Sequence, residues 1–112
     1  MEYSESLKKN KDFQIVYKEG KSYANKYLVM YIKENCLNKN RLGISVSKKV
    51  GNSVVRHRLT RLIRESYRLN EKGFQCGFDI VIIGRVNAKD KNFNEIEKAI
   101  CHLRKMQCIE RK

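Results

Sequence analysis

The sequence has no proline and only 12 acidic residues among 112. It contains no proline-rich linker, internal repeat or shift in composition that would separate two domains. No apolar run approaches the roughly 20 residues of a membrane-spanning helix. The segment after Met1 is acidic and lacks the apolar stretch of a signal peptide. These absences favour a single domain over residues 1–112, located in the cytoplasm and with no membrane partner.

Cysteine is present four times but never in C-x-x-C spacing. Cys101 and Cys108 fall on one predicted helix, where a rise of 1.5 Å per residue separates them by about 10 Å. That separation is too large for one disulfide or one metal ion. We expect Cys36, Cys76, Cys101 and Cys108 to be reduced, partly buried small hydrophobic residues, with a zinc site as the weaker alternative.

Sequence patterns of protein-borne catalysis are also missing. There is no Walker motif, no G-x-G-x-x-G and no motif of paired carboxylates. The two histidines, His57 and His102, lie in basic surroundings without a nucleophile partner in the sequence. We therefore assign no catalytic side chain and no protein-bound metal, and we interpret His57 as an RNA contact or a solvated residue.

Positive charge is what the chain has in excess. The net charge is +13, and residues 39–70 alone carry nine Lys and Arg against one acid. A concentrated basic segment on a small domain indicates a polyanionic partner, nucleic acid first and an anionic membrane surface second. A merely solvated face of a lysine-rich protein is the alternative, but the basic helix described next uses arginine at nearly every basic position.

The periodicity predicts three helices and three strands. Gly20 is expected to end the first helix. The near-continuous apolar run of the third strand predicts a central position in the sheet. Asn92 and Glu95 have the spacing of a capping box on the last helix. Residues 1–9 are expected to be loosely held. The resulting fold class is α/β, an α+β sandwich with one central sheet packed by helices. The helices are Asn10–Lys18, Ser53–Asn70 and one starting at Asn92; the strands are Tyr27–Lys33, Arg41–Ser47 and Phe78–Ile83.

The long helix is amphipathic, with Asn52 or Ser53 as its N-cap. At 100° per residue, one stripe is basic and the opposite one is apolar. Arginine forks in such a stripe match phosphate oxygens. Two lysines and Gly51 precede the positive end of the helix dipole and add to anion binding. The basic stripe is His57, Arg61, Arg64 and Arg68, flanked by Arg56 and Arg58; the apolar stripe is Val55, Leu59, Leu62, Ser66 and Leu69, bordered by Ile63.

Aromatic residues near the N-terminus form a second candidate site. Phe13 and Tyr17 share a helix face, and Tyr27 and Tyr31 are predicted to share a strand face. Such rings could stack on unpaired bases, although filling the core is the more common role. On the second strand, the small residues Gly43, Ser45 and Ser47 alternate with apolar ones and leave room for a nucleic-acid strand.

Three ordered motifs carry a resemblance to a known family. They are Asp12-Phe13-Gln14-x-Val16-Tyr17-Lys18-x-Gly20, Leu42-Gly43-Ile44-Ser45-Val46-Ser47-Lys48-Lys49-Val50-Gly51-Asn52 and Val55-Arg56-His57-Arg58-Leu59-x-Arg61-Leu62-Ile63-Arg64-Glu65. Over about residues 8–106 the chain resembles the bacterial ribonuclease P protein subunit. The run from Leu42 to Glu65 is the most specific part of this resemblance.

The resemblance implies a fold of the αβββαβα type with a left-handed βαβ crossover, against the usual right-handed rule. It implies an accessory subunit that pairs with the catalytic RNA of ribonuclease P and helps remove the 5′ leader of precursor tRNA. The RNA would perform the hydrolysis, with Mg²⁺ bound mainly by the RNA and the substrate. No stable protein partner is expected. The alternative function is a stand-alone RNA- or DNA-binding domain of ribosomal or regulatory type.

The resemblance also assigns roles to residues. The family's Arg-Asn-Arg-type motif falls on Arg56, His57 and Arg58, with His57 in place of the amide. The central cleft for the single-stranded leader would be lined by Phe13, Tyr17 and Tyr31. With the resemblance, cleft is favoured over core for Phe13 and Tyr31. The surface for the catalytic RNA would comprise Lys48, Lys49, Asn52, Arg56, His57, Arg58, Arg61, Arg64 and Arg68.

Overall fold

One five-stranded mixed sheet organises residues 4–111, the part of the chain that the computed structural model describes. The three predicted helices and three predicted strands are all present, and two further strands join them. The order is αβββαβα after a short first strand, as the resemblance implied. The elements are β1 Ser4–Ser6, α1 Asn10–Glu19, β2 Lys21–Ala24, β3 Leu28–Glu34, β4 Asn40–Val46, α2 Ser53–Asn70, β5 Phe78–Gly84 and α3 Phe93–Met106, with short 3₁₀ turns at Glu71–Gly73 and Val86–Ala88.

The strand order in the sheet is β1-β4-β5-β3-β2. The apolar strand β5 is central, as its sequence predicted, and pairs parallel with β4 and antiparallel with β3. Because β4 and β5 are parallel neighbours, α2 between them completes a βαβ unit. The left-handed sense of this crossover stays a prediction of the resemblance.

Strand β1 corrects the expectation that residues 1–9 are loosely held. Ser4–Ser6 pair in parallel with the start of β4, and the Leu7 amide donates to the Leu42 carbonyl over 2.8 Å. Leu7 itself is 5% exposed. Residues 1–3 of that expectation lie outside the described residues. The polar sequence of β1 hid this pairing, since an edge strand takes its hydrogen bonds from a neighbour distant in sequence.

The sheet has a core on each face. The larger core lies under α2 and α3 and is built from β3, β4 and β5 together with Leu59, Ile63 and Ile100. The smaller core lies under α1 and contains Leu7, Val16 and Val81. The helices therefore cover both faces of the sheet, but α1 is ten residues long and covers its face only in part. That incomplete cover leaves room for a cleft beside α1.

The buried face of α2 differs from the predicted one, as if the helix were rotated about its axis. Its buried side chains are Leu59, Ile63, Ser66 and Tyr67, whereas Leu69 is 56% exposed. The unpredicted Tyr67 is accommodated because its hydroxyl hydrogen-bonds the Ser4 hydroxyl over 2.8 Å and accepts from the Asn40 amide over 3.3 Å. These partners come from other strands, so no helical periodicity could identify them.

The helix caps match their predictions. The Asn52 side chain accepts from the Val55 amide over 3.0 Å, and Asn92 with Glu95 forms the capping box of α3. On α3, Ile96, Ala99, Ile100 and Leu103 are buried, and Met106 is 37% exposed at the helix end. Within residues 4–111, no helix is both long and apolar enough to cross a membrane.

The cysteines are free thiols, but the expectation of partial burial is wrong for three of them. Cys36, Cys76 and Cys108 are exposed, and only Cys101 is half-buried. Cys36 and Cys108 both have φ of 59°, which places them in turns rather than in the core. Burial raises the pKa of the Cys101 thiol.

Candidate nucleic-acid interface

A row of unpaired basic side chains lines the outer face of α2. His57, Arg61 and Arg64 are exposed, and none of them makes a hydrogen bond or ion pair to any part of residues 4–111. Lys48 and Lys49 are exposed in the turn before the helix and are equally uncommitted among the described residues. These five side chains, which we call the free basic face, can therefore bind an external anion without breaking an internal contact.

Other predicted members of this surface already have partners. Arg58 donates to the backbone carbonyls of Lys89 and Lys91 over 3.4 and 2.9 Å. Arg68 forms a two-pronged ion pair with Glu65 one turn away, and this contact raises the pKa of Arg68 and lowers that of Glu65. Arg68 is thus partly neutralised, whereas Arg58 retains its full charge because carbonyls carry none.

Arg56 and Asn52 differ from the predicted picture in another way. Arg56 is half-buried, and its Nε is enclosed without a hydrogen-bond partner in the part of the chain described. It lies on the side of α2 that faces the core, and not on the exposed basic stripe. The Asn52 side-chain oxygen is used as the helix cap, which leaves its amide nitrogen as the group able to donate to RNA.

Sequence reasoning missed an aromatic residue beside the free basic face. A shallow groove of about 360 Å³ lies between α2 and the start of α3, and Phe93 forms one wall of it. Arg61, Leu62, Arg64 and Glu65 form the rest. Phe93 was not among the site residues that the sequence predicted. Its place next to two arginines depends on how the two helices pack.

The predicted leader-binding rings lie together at the junction of α1 and the sheet. Phe13, Tyr17 and Tyr31 are each half-buried and pack on the small core formed by Leu7, Val16 and Val81. The centroids of Tyr17 and Tyr31 are 5.1 Å apart in an edge-to-face arrangement, and those of Phe13 and Tyr17 are 6.3 Å apart. The rings therefore contribute to the core and also present part of their surface to solvent. We call this the aromatic cleft.

Gly43 determines how Phe13 lies against the sheet. A Cβ atom added at Gly43 would be 2.6 Å from Phe13 Cζ, closer than side chains approach one another, and 3.2 Å from Leu7 Cδ2, which is a tight contact. The sequence suggested that the small residues of β4 are open to solvent. That expectation is wrong for Gly43, which is buried under Phe13, whereas Ser45 is half-buried and Ser47 is exposed.

Tyr27 does not join this cleft. It precedes β3 and packs against the core under α2 and α3, while Tyr31 faces α1. The prediction that Tyr27 and Tyr31 share a face assumed a continuous strand. The strand begins only at Leu28 because the Asn25 side chain accepts from the amides of Tyr27 and Leu28, over 3.1 and 3.0 Å, and forms a turn there.

An ion pair joins β4 and β5 beside the first turn of α1. Arg41 donates from Nε and Nη2 to both oxygens of Asp79, over 2.8 and 2.6 Å, and lies 3.8 Å from Asp12 of α1. Burial raises the pKa of Asp79, but the hydrogen bonds from Arg41 and Asn35 outweigh it, and the pKa of this carboxyl is lowered overall. The same pair raises the pKa of Arg41.

Comparison with known proteins identifies the family. The family model for ribonuclease P matches residues 1–107 of the chain. The chain belongs to the ribonuclease P protein family. The ribonuclease P protein component of Lachnoclostridium phytofermentans is 63% identical over 106 residues, which cover 95% of this chain and 91% of that protein. The component of Alkaliphilus metalliredigens is 54% identical over 110 residues, 97% of this chain and 99% of that one.

Solved structures of the family agree with the fold. The ribonuclease P protein of Staphylococcus aureus is 39% identical and superposes with a TM-score of 0.87, over 95% of this chain and 97% of that one. The protein from Thermotoga maritima is 34% identical with a TM-score of 0.84, over 90% and 96% of the two chains. The mixed α/β architecture is therefore that of the ribonuclease P proteins.

Metal-ligating side chains do not cluster near this interface. Among residues 4–111 there is no group of three or more His, Cys, Asp or Glu side chains placed to hold a metal ion. The zinc alternative considered for the cysteines therefore gains no support from the described residues.

Proposed function

We propose that this chain is the protein subunit of a ribonuclease P holoenzyme, which removes the 5′ leader of precursor tRNA. The protein binds the catalytic RNA through the free basic face and the leader in the aromatic cleft. The RNA carries the chemistry, with Mg²⁺ bound mainly by the RNA and the substrate. This function places the protein in the cytoplasm with its RNA partners.

The observation that carries the proposal is the free basic face. Arg61 and Arg64 on one helix face, with His57 and the two lysines before the helix, carry exposed donors that have no acceptor among residues 4–111. In the free protein such donors are hydrogen-bonded to water. When an RNA backbone binds, its phosphates replace that water and its counterions are released, which favours binding. Family membership supports the catalytic RNA as the partner of this surface.

The aromatic cleft supports the second half of the proposal. Its rings stand beside a helix that covers only part of its sheet face, so their exposed edges are reachable by an extended strand. Bases of single-stranded RNA stack on such rings without sequence readout, at about 1–3 kcal/mol per base.

Filter binding to the cognate catalytic RNA tests the basic face. Arg61→Ala and Arg64→Ala should each weaken binding by about 1.5–3 kcal/mol, the strength of a charge-assisted hydrogen bond. Both side chains are exposed, so the melting temperature should hardly change. Lys105→Ala, an exposed cation of α3, is the matched control and should bind like the unmodified protein. Wild-type affinity in both arginine variants would show that the face is wrongly assigned.

The cleft is tested in the assembled holoenzyme with precursor and mature tRNA. Phe13→Leu and Tyr31→Leu keep apolar packing but remove a stacking ring, and each should lower affinity for precursor tRNA by about 1–3 kcal/mol. Mature tRNA has no leader, so its affinity should not change. Tyr31→Phe retains the ring and is the control. Equal losses for both RNAs would show that these rings have a purely structural role.

Equal affinity of the protein for duplex DNA and for the catalytic RNA would favour a stand-alone nucleic-acid-binding domain.

A further inference from the structure

A second aromatic site lies on the opposite side of the sheet from the aromatic cleft. Two concavities, of about 350 and 480 Å³, meet at Tyr27. The first lies against α3 and includes Ala99 and His102; the second lies against the turn after β5 and includes Lys89 and Lys91. We call the two together the Tyr27 groove. Nothing in the function proposed above uses it.

The backbone around Tyr27 is held by a dense set of hydrogen bonds. The Asn25 side chain donates to the Ala99 carbonyl over 3.0 Å and lies 3.3 Å from Nδ1 of His102. Arg85 donates to the Asn25 carbonyl over 2.7 Å from its side chain and to the Tyr27 carbonyl over 2.9 Å from its backbone. The groove is therefore preformed, and a ligand would not have to order the segment that holds the ring.

The groove is basic. Lys26, Lys89 and Lys98 are exposed at its edges and make no hydrogen bond or ion pair with side chains of residues 4–111. The ammonium of Lys91 lies 5.4 Å from the centre of the Tyr27 ring, a cation–π contact. The two acidic residues that line the groove already have partners. Glu95 belongs to the capping box of α3, and Asp90 lies 3.9 Å from the ammonium of Lys91. An anionic ligand with a planar group matches this combination of charge and ring.

Arg58 links the groove to the free basic face. Its guanidinium is bonded to the carbonyls of Lys89 and Lys91, which belong to the turn that forms one wall of the groove. Positive charge is thus continuous from α2 across this turn to Tyr27. The aromatic cleft, by contrast, is on the other face of the sheet. A ligand that binds α2 can reach the Tyr27 groove without crossing the sheet, and the leader in the aromatic cleft cannot.

We propose that the Tyr27 groove binds an unpaired nucleotide of the catalytic RNA. The base packs against Tyr27 in the concavity beside α3, and Lys26 and Lys98 contact the flanking phosphates. The identity of this partner rests on the proposed function. The site itself rests on the ring, the preformed turn and the charge.

Filter binding of the full chain to the full-length cognate catalytic RNA, over a range of KCl concentrations, tests the proposal. Tyr27→Leu keeps an apolar side chain on the core and should weaken binding about 5- to 150-fold, the range for one base stacked on a ring. Tyr27→Phe should bind like the unmodified protein. Lys26→Ala with Lys98→Ala should make the negative slope of log K against log salt shallower by about 1.5, as expected for two lost phosphate contacts.

The controls separate this proposal from the function on which it rests. Lys72→Ala with Lys105→Ala removes two exposed charges outside the groove and should leave the slope nearly unchanged. If Arg61→Ala weakens binding but the Tyr27 and paired-lysine variants do not, the groove proposal is overturned and the proposed function stands. If the unmodified protein does not bind this RNA, the proposed function fails. Loss of precursor tRNA affinity with intact binding of the catalytic RNA would assign the groove to the substrate and overturn the proposal.

Discussion

Removing Arg41 should destabilise the fold strongly at neutral pH and much less in acid. Arg41→Met retains the apolar stem. It leaves the Asp79 carboxylate, whose side chain is 8% exposed, with the Asn35 hydrogen bond as its one remaining side-chain contact within the described part of the chain. Breaking a buried pair from one side costs about 3–5 kcal/mol. Because the Arg41 side chain is 28% exposed and Asn35 remains, we expect a lower cost of about 2–3 kcal/mol. For a domain of this size that corresponds to a fall of roughly 10–20 °C in melting temperature.

The pH dependence follows from the lowered pKa of Asp79. A carboxyl whose pKa is lower in the folded state stabilises the protein above its unfolded pKa of about 3.9, and this contribution is lost as the pH falls through the folded value. In Arg41→Met, burial acts on Asp79 without the guanidinium and raises its pKa, so the carboxyl protonates more readily. The difference in stability between the two proteins should therefore be largest near pH 7 and shrink toward pH 3.

Urea unfolding followed by circular dichroism at pH 7, 5 and 3 measures this difference. Arg41→Met combined with Asp79→Asn removes both charges and should be more stable at pH 7 than Arg41→Met alone, because no uncompensated charge stays buried. A loss below about 0.5 kcal/mol in Arg41→Met, the range of ordinary surface substitutions, would refute the reasoning. A loss that does not vary with pH would also refute it.

Three further predictions concern the cleft, a helix cap and the chemistry. Gly43→Ala places a methyl group 2.6 Å from the present position of Phe13 Cζ and should lower affinity for precursor tRNA, with binding to the catalytic RNA unchanged in the same filter assay. Asn92→Ala removes the capping box of α3 and should cost about 1 kcal/mol in urea unfolding, with RNA affinity preserved; no measurable loss would argue against this cap. The isolated protein with Mg²⁺ should not cleave precursor tRNA; cleavage abolished by one side-chain substitution would contradict the accessory role.

The resemblance and the local patterns correctly predicted much of what positions the interface. The spacing of apolar residues located α2 and β5, and the Asn52 cap and the capping box of α3 were visible in short polar motifs. These features depend on residues within about four positions of one another, so the amino-acid sequence alone is enough to find them. The basic stripe of α2 was predictable for the same reason.

Tertiary structure alone decided which of those basic side chains are free. Arg58 is hydrogen-bonded to a turn more than thirty residues away. Arg56 is half-buried because the face of α2 that contains Tyr67 packs on the core. In this orientation the Tyr67 hydroxyl accepts from Asn40 of β4 and hydrogen-bonds Ser4 of β1, contacts that no periodicity within the helix encodes.

The same distinction explains the two aromatic sites. Helical and strand spacing placed Phe13 with Tyr17 and suggested Tyr27 with Tyr31. However, a turn built on Asn25 precedes β3, which begins one residue after Tyr27, and the Tyr27 ring packs on the other face of the sheet. The sequence by itself determined the three helices, strands β3, β4 and β5, the caps of α2 and α3, and the charge of α2. The packing of distant elements determined which side chains face one another, because those contacts are made between residues far apart in the chain.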